Sequence, residues 1–335
     1  MRTILVTGAG GYIGSVAVYM LLAKGFRVVG IDNFVSGYRA PLKFFQEKFG
    51  NEQFSFYEAD LHDDLSSILK REKGIDAVIH YAASCLVDES IKNPHKYFYN
   101  NTAGSLNFIE QLSKHAINRL VFSSTCAVYG EAQYSPIDEK HPTNPKNPYG
   151  ESKRMVEKIL EWYAQTKGFS FVALRYFNVC GASDDGVIGD SKKPSVLLVQ
   201  NAVRGALGIE PFYLTCPTVD TPDKTPIRDY INVVDLNEAH INAIEYLMKD
   251  GKSTTINLGT GTGNSVLEIV NEVQKETGSA FDLQKSEPRK GEYAKMVADI
   301  RLARSVLGWS PGRSMKQSIS SLCTWYRTHP HGWES

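Results

Sequence analysis

A short apolar run at residues 3–7 leads directly into a glycine-rich turn, and this order limits the fold more than any other part of the chain. The run has the composition of a buried parallel strand. Gly8, Gly11 and Gly14 then allow a tight turn and a close backbone approach where a helix begins. The free N–H groups and the dipole at such a helix end can hold a pyrophosphate. Taken alone, the glycine cluster leaves a second possibility, a tight turn that binds no ligand.

A second predicted strand, at residues 27–31, ends at Asp32, eighteen residues after Gly14. In a dinucleotide-binding fold, a carboxylate at this place binds the adenosine ribose. Strand, glycine turn, helix, strand and acid in this order therefore predict a dinucleotide site. The acid also predicts NAD rather than NADP, because a carboxylate repels a 2′-phosphate.

Further strand and helix patterns alternate along the chain. Apolar, β-rich runs predict strands at 54–58, 76–80, 119–123 and 171–175, and helical patterns are clearest at 96–114 and 149–167. This alternation predicts an α/β fold with a doubly wound parallel (Rossmann) sheet. Ligands of such a sheet bind beyond the carboxyl ends of its strands.

The composition changes after residue 175. Residues 176–231 are rich in Gly, Pro, Asp and Thr, and they contain one clear helical pattern, at 195–207. The sequence of residues 215–230 predicts a loop that covers a ligand. A helix at 233–248, a strand at 254–258 and a capping box at Ser265 and Glu268 follow. We expect a dinucleotide-binding domain at 1–175 plus 232–258, and a smaller lid domain at 176–231 plus 259–335.

Tyr149 and Lys153 form the candidate catalytic pair. They are four residues apart in a predicted helix, so their side chains share one face. A free tyrosine has a pKa of about 10 and is a poor base at neutral pH. An ammonium within roughly 4–6 Å favours the phenolate and lowers that pKa. The pair therefore predicts a general acid/base for a sugar or alcohol hydroxyl.

Charge and cysteine content limit the partners. Lysine plus arginine equals aspartate plus glutamate at 37 each, which gives no electrostatic footprint for nucleic acid or an anionic membrane. No apolar run approaches the roughly 20 residues of a membrane span, and a strand at residue 3 leaves no room for a signal peptide. The five cysteines are widely spaced, so the sequence predicts neither a disulfide framework nor a metal site, and it favours a location in the reducing cytoplasm. They are Cys85, Cys126, Cys180, Cys216 and Cys323.

Several motifs, taken in order, resemble one family. They are TGAGGYIGS at 7–15, FSSTCAVYG at 122–130, NPYGESK at 147–153, LRYFN at 174–178, IRDYINVVDL at 227–236 and the region of Arg289 and Glu292. The chain resembles the extended short-chain dehydrogenase/reductases, and among them most closely the 4-epimerases of UDP-sugars. The resemblance implies NAD as cofactor, a UDP-hexose as substrate and reversible inversion at C4 through a 4-keto sugar.

The resemblance also assigns roles to residues. It implies that Tyr149 is the acid/base, that Lys153 supports it and binds the nicotinamide ribose, and that Thr125 contacts the sugar 4-hydroxyl. The residues implied to bind NAD are Gly8, Gly11, Tyr12, Ile13, Gly14, Asp32, Asn33, Asp60, Leu61, Tyr81, Ala82, Asn100, Ser123, Tyr149, Lys153 and Tyr176. Those implied to bind the UDP-sugar are Thr125, Asn178, Arg228, Arg289, Glu292 and Met296. A planar guanidinium suits a diphosphate, and a surface salt bridge is the alternative role for the two arginines.

Two stretches depart from the family's pattern. Cys85 lies where these epimerases usually carry a lysine near the cofactor. Residues 192–196, KKPSV, replace the stretch that normally contacts the nucleotide sugar. Both departures affect the prediction of which sugar is the substrate more than the prediction of the reaction type.

Three alternatives to epimerisation of a UDP-hexose differ in the residues that they need. The family's 4,6-dehydratases follow the threonine with Asp-Glu, whereas Thr125 is followed by Cys126 and Ala127, which argues against dehydration. The same chemistry on a UDP-N-acetylhexosamine, UDP-glucuronate or UDP-pentose remains open. A non-catalytic NAD-binding regulator also remains, although regulators commonly lose the tyrosine or lysine.

Met296 aligns with a position that controls sugar size in these epimerases, where tyrosine closes the pocket to 2-N-acetyl sugars and Cys or Ser leaves room. Methionine is intermediate in bulk and flexible, so we expect UDP-hexoses to be the better substrates. Packing within the lid core is the alternative role. The resemblance further implies a homodimer in which helices 96–114 and 149–167 pair across a two-fold axis.

Overall fold

The computed structural model describes residues 1–192, 195–280, 284–285 and 293–333. Its strands, in chain order, are β1 (Thr3–Thr7), β2 (Arg27–Asp32), β3 (Phe54–Glu58), β4 (Ile75–His80), β5 (Arg119–Thr125), β6 (Ser170–Tyr176), β7 (Asn178–Cys180), β8 (Tyr213–Leu214), β9 (Ile227–Arg228), β10 (Tyr230–Asn232), β11 (Thr254–Leu258), β12 (Asn264–Ser265), β13 (Gln284–Lys285) and β14 (Lys295–Met296).

The helices are α1 (Tyr12–Ala23), α2 (Arg39–Phe49), α3 (Ser66–Arg71), α4 (Val87–Lys92), α5 (Pro94–Tyr97), α6 (Gly104–Lys114), α7 (Pro148–Lys167), α8 (Leu198–Ala206), α9 (Val233–Met248), α10 (Val266–Thr277), α11 (Arg301–Leu307) and α12 (Met315–Thr328). A π-helical turn, Phe98–Ala103, joins α5 to α6, and a 3₁₀ turn, Cys126–Val128, follows β5.

Seven parallel strands form the central sheet in the order β11-β6-β5-β4-β1-β2-β3. Strand β1 lies between β4 and β2, so the strand order reverses beside it. Such a reversal leaves a crevice at the carboxyl ends of the strands, where ligands bind. The predicted doubly wound sheet is confirmed, and the glycine turn after β1 lies at this crevice.

Alternate residues of each strand enter two separate cores, one on each face of the sheet. Ile4 and Val6 pack into the core that also contains α1 and α9, whereas Leu5 packs into the core that contains α6 and α7. Burying one such aliphatic side chain is worth about 1.5–3 kcal/mol. The near-continuous apolar runs of the sequence are explained by this burial on both faces.

The helix predicted at 96–114 is not a regular α-helix, because the π-helical turn interrupts it. Within this turn, the Asn101 side chain donates to the Ser84 carbonyl at 2.9 Å and to the Ser152 hydroxyl at 3.0 Å. These bonds tie the turn to the loop after β4 and to α7. Single π-helical turns of this kind are frequent at functional sites.

A third apolar core lies outside the two that flank the sheet. It joins α8, α10 and α12 through residues such as Val203, Val270 and Leu322. Helix α10 begins with the predicted capping box and ends at Gly278 in the left-handed conformation. This core fits a separate lid, and the predicted domain boundaries stay a prediction.

Candidate active site

A cavity with a volume of about 820 Å³ opens at the carboxyl ends of the strands. One side, which we call the strand-end wall, is formed by residues 7–14, 31–37, 59–61 and 81–89. The opposite side, the outer wall, is formed by residues 196–201, 212–216, 226–230 and 293–296. Thr125, Tyr149, Lys153 and residues 176–179 lie where the two walls meet.

The glycine turn of the strand-end wall has no room for side chains. A Cβ on Gly14 would lie 2.1 Å from the Gly8 carbonyl oxygen, and one on Gly8 would lie 2.8 Å from the Ala82 nitrogen. Gly8 also has a φ of +70°, in the left-handed region. Helix α1 begins at this turn with no side-chain cap and no acid in its first turn. Its N–H groups are therefore available to a phosphate, and the turn fits a dinucleotide.

Asp32 ends β2 beside the glycine turn. One carboxylate oxygen accepts from the Gly10 N–H and the other from the Phe34 N–H, both at 2.8 Å. Burial raises the pKa of Asp32 above its usual value, while these backbone bonds oppose the shift. A carboxylate held in this way has lone pairs left for a ribose hydroxyl.

Other predicted cofactor residues also line the cavity. They are Gly11, Tyr12, Ile13, Asn33, Asp60, Leu61, Tyr81, Ala82, Asn100 and Tyr176. Within this set, Asn33 donates to Asp60 at 2.6 Å, and Tyr81 donates to Asn237 at 2.7 Å. The structure thus brings together residues from the ends of five strands, β1 to β4 and β6, that are far apart in the sequence.

Tyr149 lies on the first turn of α7, which is fixed by its N-terminal residues. Asn147 caps the helix by accepting from the Gly150 N–H at 2.8 Å, and Pro148 occupies the first helical position. Tyr149 is only 8% exposed, and it lines the cavity together with Thr125, the last residue of β5. The predicted acid/base and the predicted sugar-contacting threonine therefore meet in the cavity.

Lys153 lies one turn further along α7 and is almost fully buried. Its Nζ donates to the Ser123 carbonyl at 2.9 Å and lies 4.8 Å from the centre of the Phe122 ring. Burial lowers the pKa of Lys153 to about 8. The lysine is thus held by β5 in one position at the cavity.

The prediction that Tyr149 has a lowered pKa is wrong for the protein residues by themselves. Burial raises the pKa of Tyr149 well above its usual value, and the Thr125 side chain only partly opposes this rise. Helical spacing indicated the pairing with Lys153 but carried no information on desolvation.

Ser123 does not line the cavity. Its hydroxyl shares a 2.7 Å hydrogen bond with the Tyr176 hydroxyl, and its carbonyl accepts from Lys153. Ser123 therefore holds two cavity residues from behind. A direct contact between Ser123 and the cofactor stays a prediction.

The sequence did not single out Glu157, which stands behind the catalytic pair on α7. Its side chain is fully buried and forms a two-pronged ion pair with Arg175, at 2.9 and 2.7 Å. It also accepts from the Ser124 hydroxyl at 2.6 Å, next to Thr125 in β5. The spacing of Tyr149, Lys153 and Glu157, four residues each, was the available signal for a third member of this helix face.

Apart from residues 196–201, at the start of α8, much of the outer wall is built from very short strands. β14 pairs with β9 so that Met296 lies beside Arg228, and Met296 is buried. Arg228 donates to the Ile227 carbonyl at 3.0 Å and to the Tyr293 carbonyl at 2.7 Å. Asn178 starts β7 and also lines the cavity. Arg289 and Glu292 lie outside the described residues.

The two departures from the family's pattern meet in space. Lys192 lines the cavity, and its Nζ donates to the Cys85 thiol at 2.9 Å. Cys85 belongs to the loop after β4, whereas Lys192 lies beyond β7. Sequence alone gave no sign that these residues are neighbours.

In the described ranges, no three His, Cys, Asp or Glu side chains are grouped as a metal ion requires. None of the helices that the structure describes is both long and apolar enough to cross a membrane. All five cysteines are free thiols.

Comparison with known proteins gives consistent results. Residues 4–259 match the NAD dependent epimerase/dehydratase family. The UDP-glucose 4-epimerase of Lactobacillus helveticus is 41% identical over 99% of both chains. A crystal structure of a UDP-glucose 4-epimerase is 37% identical, with a TM-score of 0.93 over 100% of both chains. The Bifidobacterium longum enzyme of the same name, solved with NAD+ and UDP, is 33% identical, with a TM-score of 0.92 over 99% of this chain and 100% of its own.

Proposed function

The chain belongs to the NAD dependent epimerase/dehydratase family, and from this we propose that it catalyses the reversible inversion of C4 in UDP-glucose and UDP-galactose. One observation carries the proposal. Tyr149 and Thr125 line the same cavity as the dinucleotide-type glycine turn, and Thr125 acts on the Tyr149 hydroxyl. This supports an acid/base and a redox cofactor acting on one hydroxyl-bearing carbon.

The cofactor is NAD, and the strand-end wall fits it. The glycine turn would hold the diphosphate, Asp32 the adenosine ribose, and Lys153 the nicotinamide ribose. Arg39, the nearest arginine in sequence after Asp32, is paired with Glu58 and stacked on the Phe34 ring. It is thus engaged elsewhere, which favours NAD over NADP. When bound, NAD accepts a hydride from C4 and returns it, and its oxidised nicotinamide ring also carries positive charge.

The side chains at the meeting of the walls move the proton. Tyr149 would take the proton from the 4-hydroxyl and later give it back, with Thr125 bridging the two oxygens. Because burial raises the pKa of Tyr149, the resting residue is a phenol, and positive charge is needed before it can act as a base. Lys153, fixed against Ser123, supplies part of that charge.

The outer wall would hold the UDP moiety and leave the sugar able to turn. Arg228 and Asn178 face the cavity with groups suited to phosphate and nucleotide oxygens. Arg289 and Glu292 are proposed for the same role from the sequence alone. Inversion requires the 4-keto sugar to present its other face, so tight contacts belong on the UDP rather than on the hexose.

Two measurements on the purified protein test the function. A cofactor absorbance spectrum should show retained NAD, and UDP-galactose should be converted to UDP-glucose. Retained NAD with no turnover of any UDP-sugar would favour the non-catalytic regulator. Faster turnover of a UDP-N-acetylhexosamine, UDP-glucuronate or UDP-pentose would assign the same chemistry to that sugar.

We also propose that the enzyme is a homodimer that acts in the cytoplasm. Exposed apolar side chains on the π-helical turn, α6 and α7 support the pairing, among them Tyr99 at 54%, Leu106 at 42% and Trp162 at 65% exposure. Light scattering should give twice the chain mass for the native protein and the chain mass for Leu106→Glu/Trp162→Glu. Tyr134→Glu, on an exposed aromatic elsewhere, should stay dimeric. The free thiols fit a reducing compartment.

A further inference from the structure

We propose that Lys192 is an additional ligand of the cofactor, contacting the NAD diphosphate from the side opposite the glycine turn. The proposal rests on the assignment of the cavity to NAD. Its starting point is the place of Lys192, which lines the main cavity and also a small cleft shared with Gly10, Tyr12, Ser36 and Tyr38. Lys192 therefore lies near the turn where α1 begins.

A diphosphate at this place calls for a cation. The glycine turn offers N–H groups and a helix dipole, which carry only partial positive charge. The strand-end wall around it carries the carboxylates of Asp32, Asp60, Asp88 and Glu89. A full positive charge close to the diphosphate would offset the repulsion from the acids that have no cationic partner.

The other described cations on the cavity are engaged elsewhere. Lys96 pairs with Glu89 at 2.7 Å, Lys153 bonds to Ser123 beside Tyr149, and Arg228 bonds to main-chain carbonyls of the outer wall. Lys192 bonds to the Cys85 thiol, a weak acceptor that a phosphate oxygen can replace. Although burial opposes the charged form, Cys85 and Asp190 raise the pKa of Lys192, so the amine is cationic at neutral pH.

The backbone that carries Lys192 is held firmly. The Ser191 carbonyl accepts from the Tyr38 hydroxyl at 2.6 Å, and the Ser191 hydroxyl accepts from the Trp333 N–H at 3.0 Å. The Asp190 carbonyl accepts from the Trp325 indole at 3.0 Å. Residues 189–192 are thus tied both to the sheet domain and to the C-terminal segment. A lysine held in this way loses less entropy on binding an anion than a free surface lysine does.

This arrangement places a cation from a distant segment beside Cys85, in a loop of the strand-end wall. It would retain NAD through many turnovers, because the cofactor cannot leave until the contact between Lys192 and the diphosphate breaks. One charge-assisted hydrogen bond of this kind should slow the release of NAD by roughly 10–150-fold.

The test measures release of NAD from the purified enzyme into an excess of an NAD-consuming dehydrogenase. We expect Lys192→Met and Lys192→Gln to release NAD about 10–150-fold faster than the native enzyme. Lys192→Arg should stay within a few-fold of native, on the order of one lost or gained hydrogen bond. Lys43→Met, on the exposed surface of α2, is the matched control and should behave as native.

NAD and the UDP-sugar each bring a diphosphate into the cavity, and the affinity for UDP, measured on the NAD-loaded enzyme, shows which of the two Lys192 contacts. We expect the native enzyme and all these variants to bind UDP with the same affinity. Weaker UDP binding with unchanged NAD release would place Lys192 on the substrate diphosphate and overturn the proposal, and so would native behaviour of both Lys192→Met and Lys192→Gln. A native protein that neither contains NAD nor binds it when added would overturn the proposed function itself, which is a different result.

Discussion

The two walls of the cavity are built in different ways. Each part of the strand-end wall directly follows a strand of one continuous sheet, so neighbouring strands bring their ends together. The outer wall depends on pairs of two- or three-residue strands, such as β9 with β14, from widely separated parts of the chain. On the proposed function, the strand-end wall would hold NAD, whereas the outer wall would hold the UDP moiety and limit the size of the sugar at Met296. Substitutions near the strand ends should therefore affect all sugars alike, and substitution of Met296 should change the choice of sugar.

The largest effect is expected where the walls meet. Tyr149→Phe should lower kcat for every UDP-sugar by about 10²–10⁴-fold, because it removes the only acid/base proposed for O4. NAD content should not change. Tyr163→Phe is the control on the same helix, where the lost hydroxyl bonds to Glu110 at 2.8 Å, and it should keep native turnover. A near-native kcat for Tyr149→Phe would mean that another group moves the proton.

The second effect concerns the support behind the strand-end wall. Glu157→Gln leaves Arg175 buried with a neutral partner and should lower the free energy of unfolding by about 3–5 kcal/mol. Glu161→Gln, on the exposed side of α7, should cost roughly 0–1 kcal/mol. Denaturant titration measures both. Equal stabilities for the two variants would show that the ion pair is not needed to hold β5, β6 and α7 together.

The third test addresses the outer wall. Met296→Ser should raise kcat/KM for UDP-N-acetylglucosamine relative to UDP-glucose by roughly 10–200-fold, the range that one or two methylenes decide in a pocket. Met315→Ser, at the start of α12 and away from the cavity, should leave the ratio unchanged. If the ratio is also unchanged in Met296→Ser, Met296 packs in the lid and does not face the sugar.

The smallest free-energy change is expected in the glycine turn. Gly14→Ala places a Cβ 2.1 Å from the Gly8 carbonyl oxygen, so the turn must move, at a cost of about 1–3 kcal/mol. Thermal unfolding and NAD content should both fall. Gly312→Ala meets its nearest atom at 3.8 Å and is the matched control. Full NAD retention by Gly14→Ala would show that the turn tolerates a side chain and that its glycines serve another purpose.

Much of the strand-end wall could be predicted from local sequence. Apolar runs of five to seven residues gave the sheet strands to within a residue or two, since their burial on both faces leaves a continuous pattern. The glycine turn, Asp32 and the pair Tyr149–Lys153 follow because each depends on a fixed spacing within one element. The π-helical turn at Phe98–Ala103 was not predicted, and its Asn101 bonds to two segments that are distant in the sequence.

The sequence by itself determined the parallel sheet, the place of the glycine turn and the helix face that carries Tyr149 and Lys153. These depend on periodicity and on backbone conformation, which are local. The tertiary structure alone decided that Tyr149 is buried with a raised pKa, that Glu157 pairs with Arg175, and that Lys192 reaches Cys85. Desolvation and contacts between distant segments depend on how the whole chain packs, and no spacing within one element specifies them.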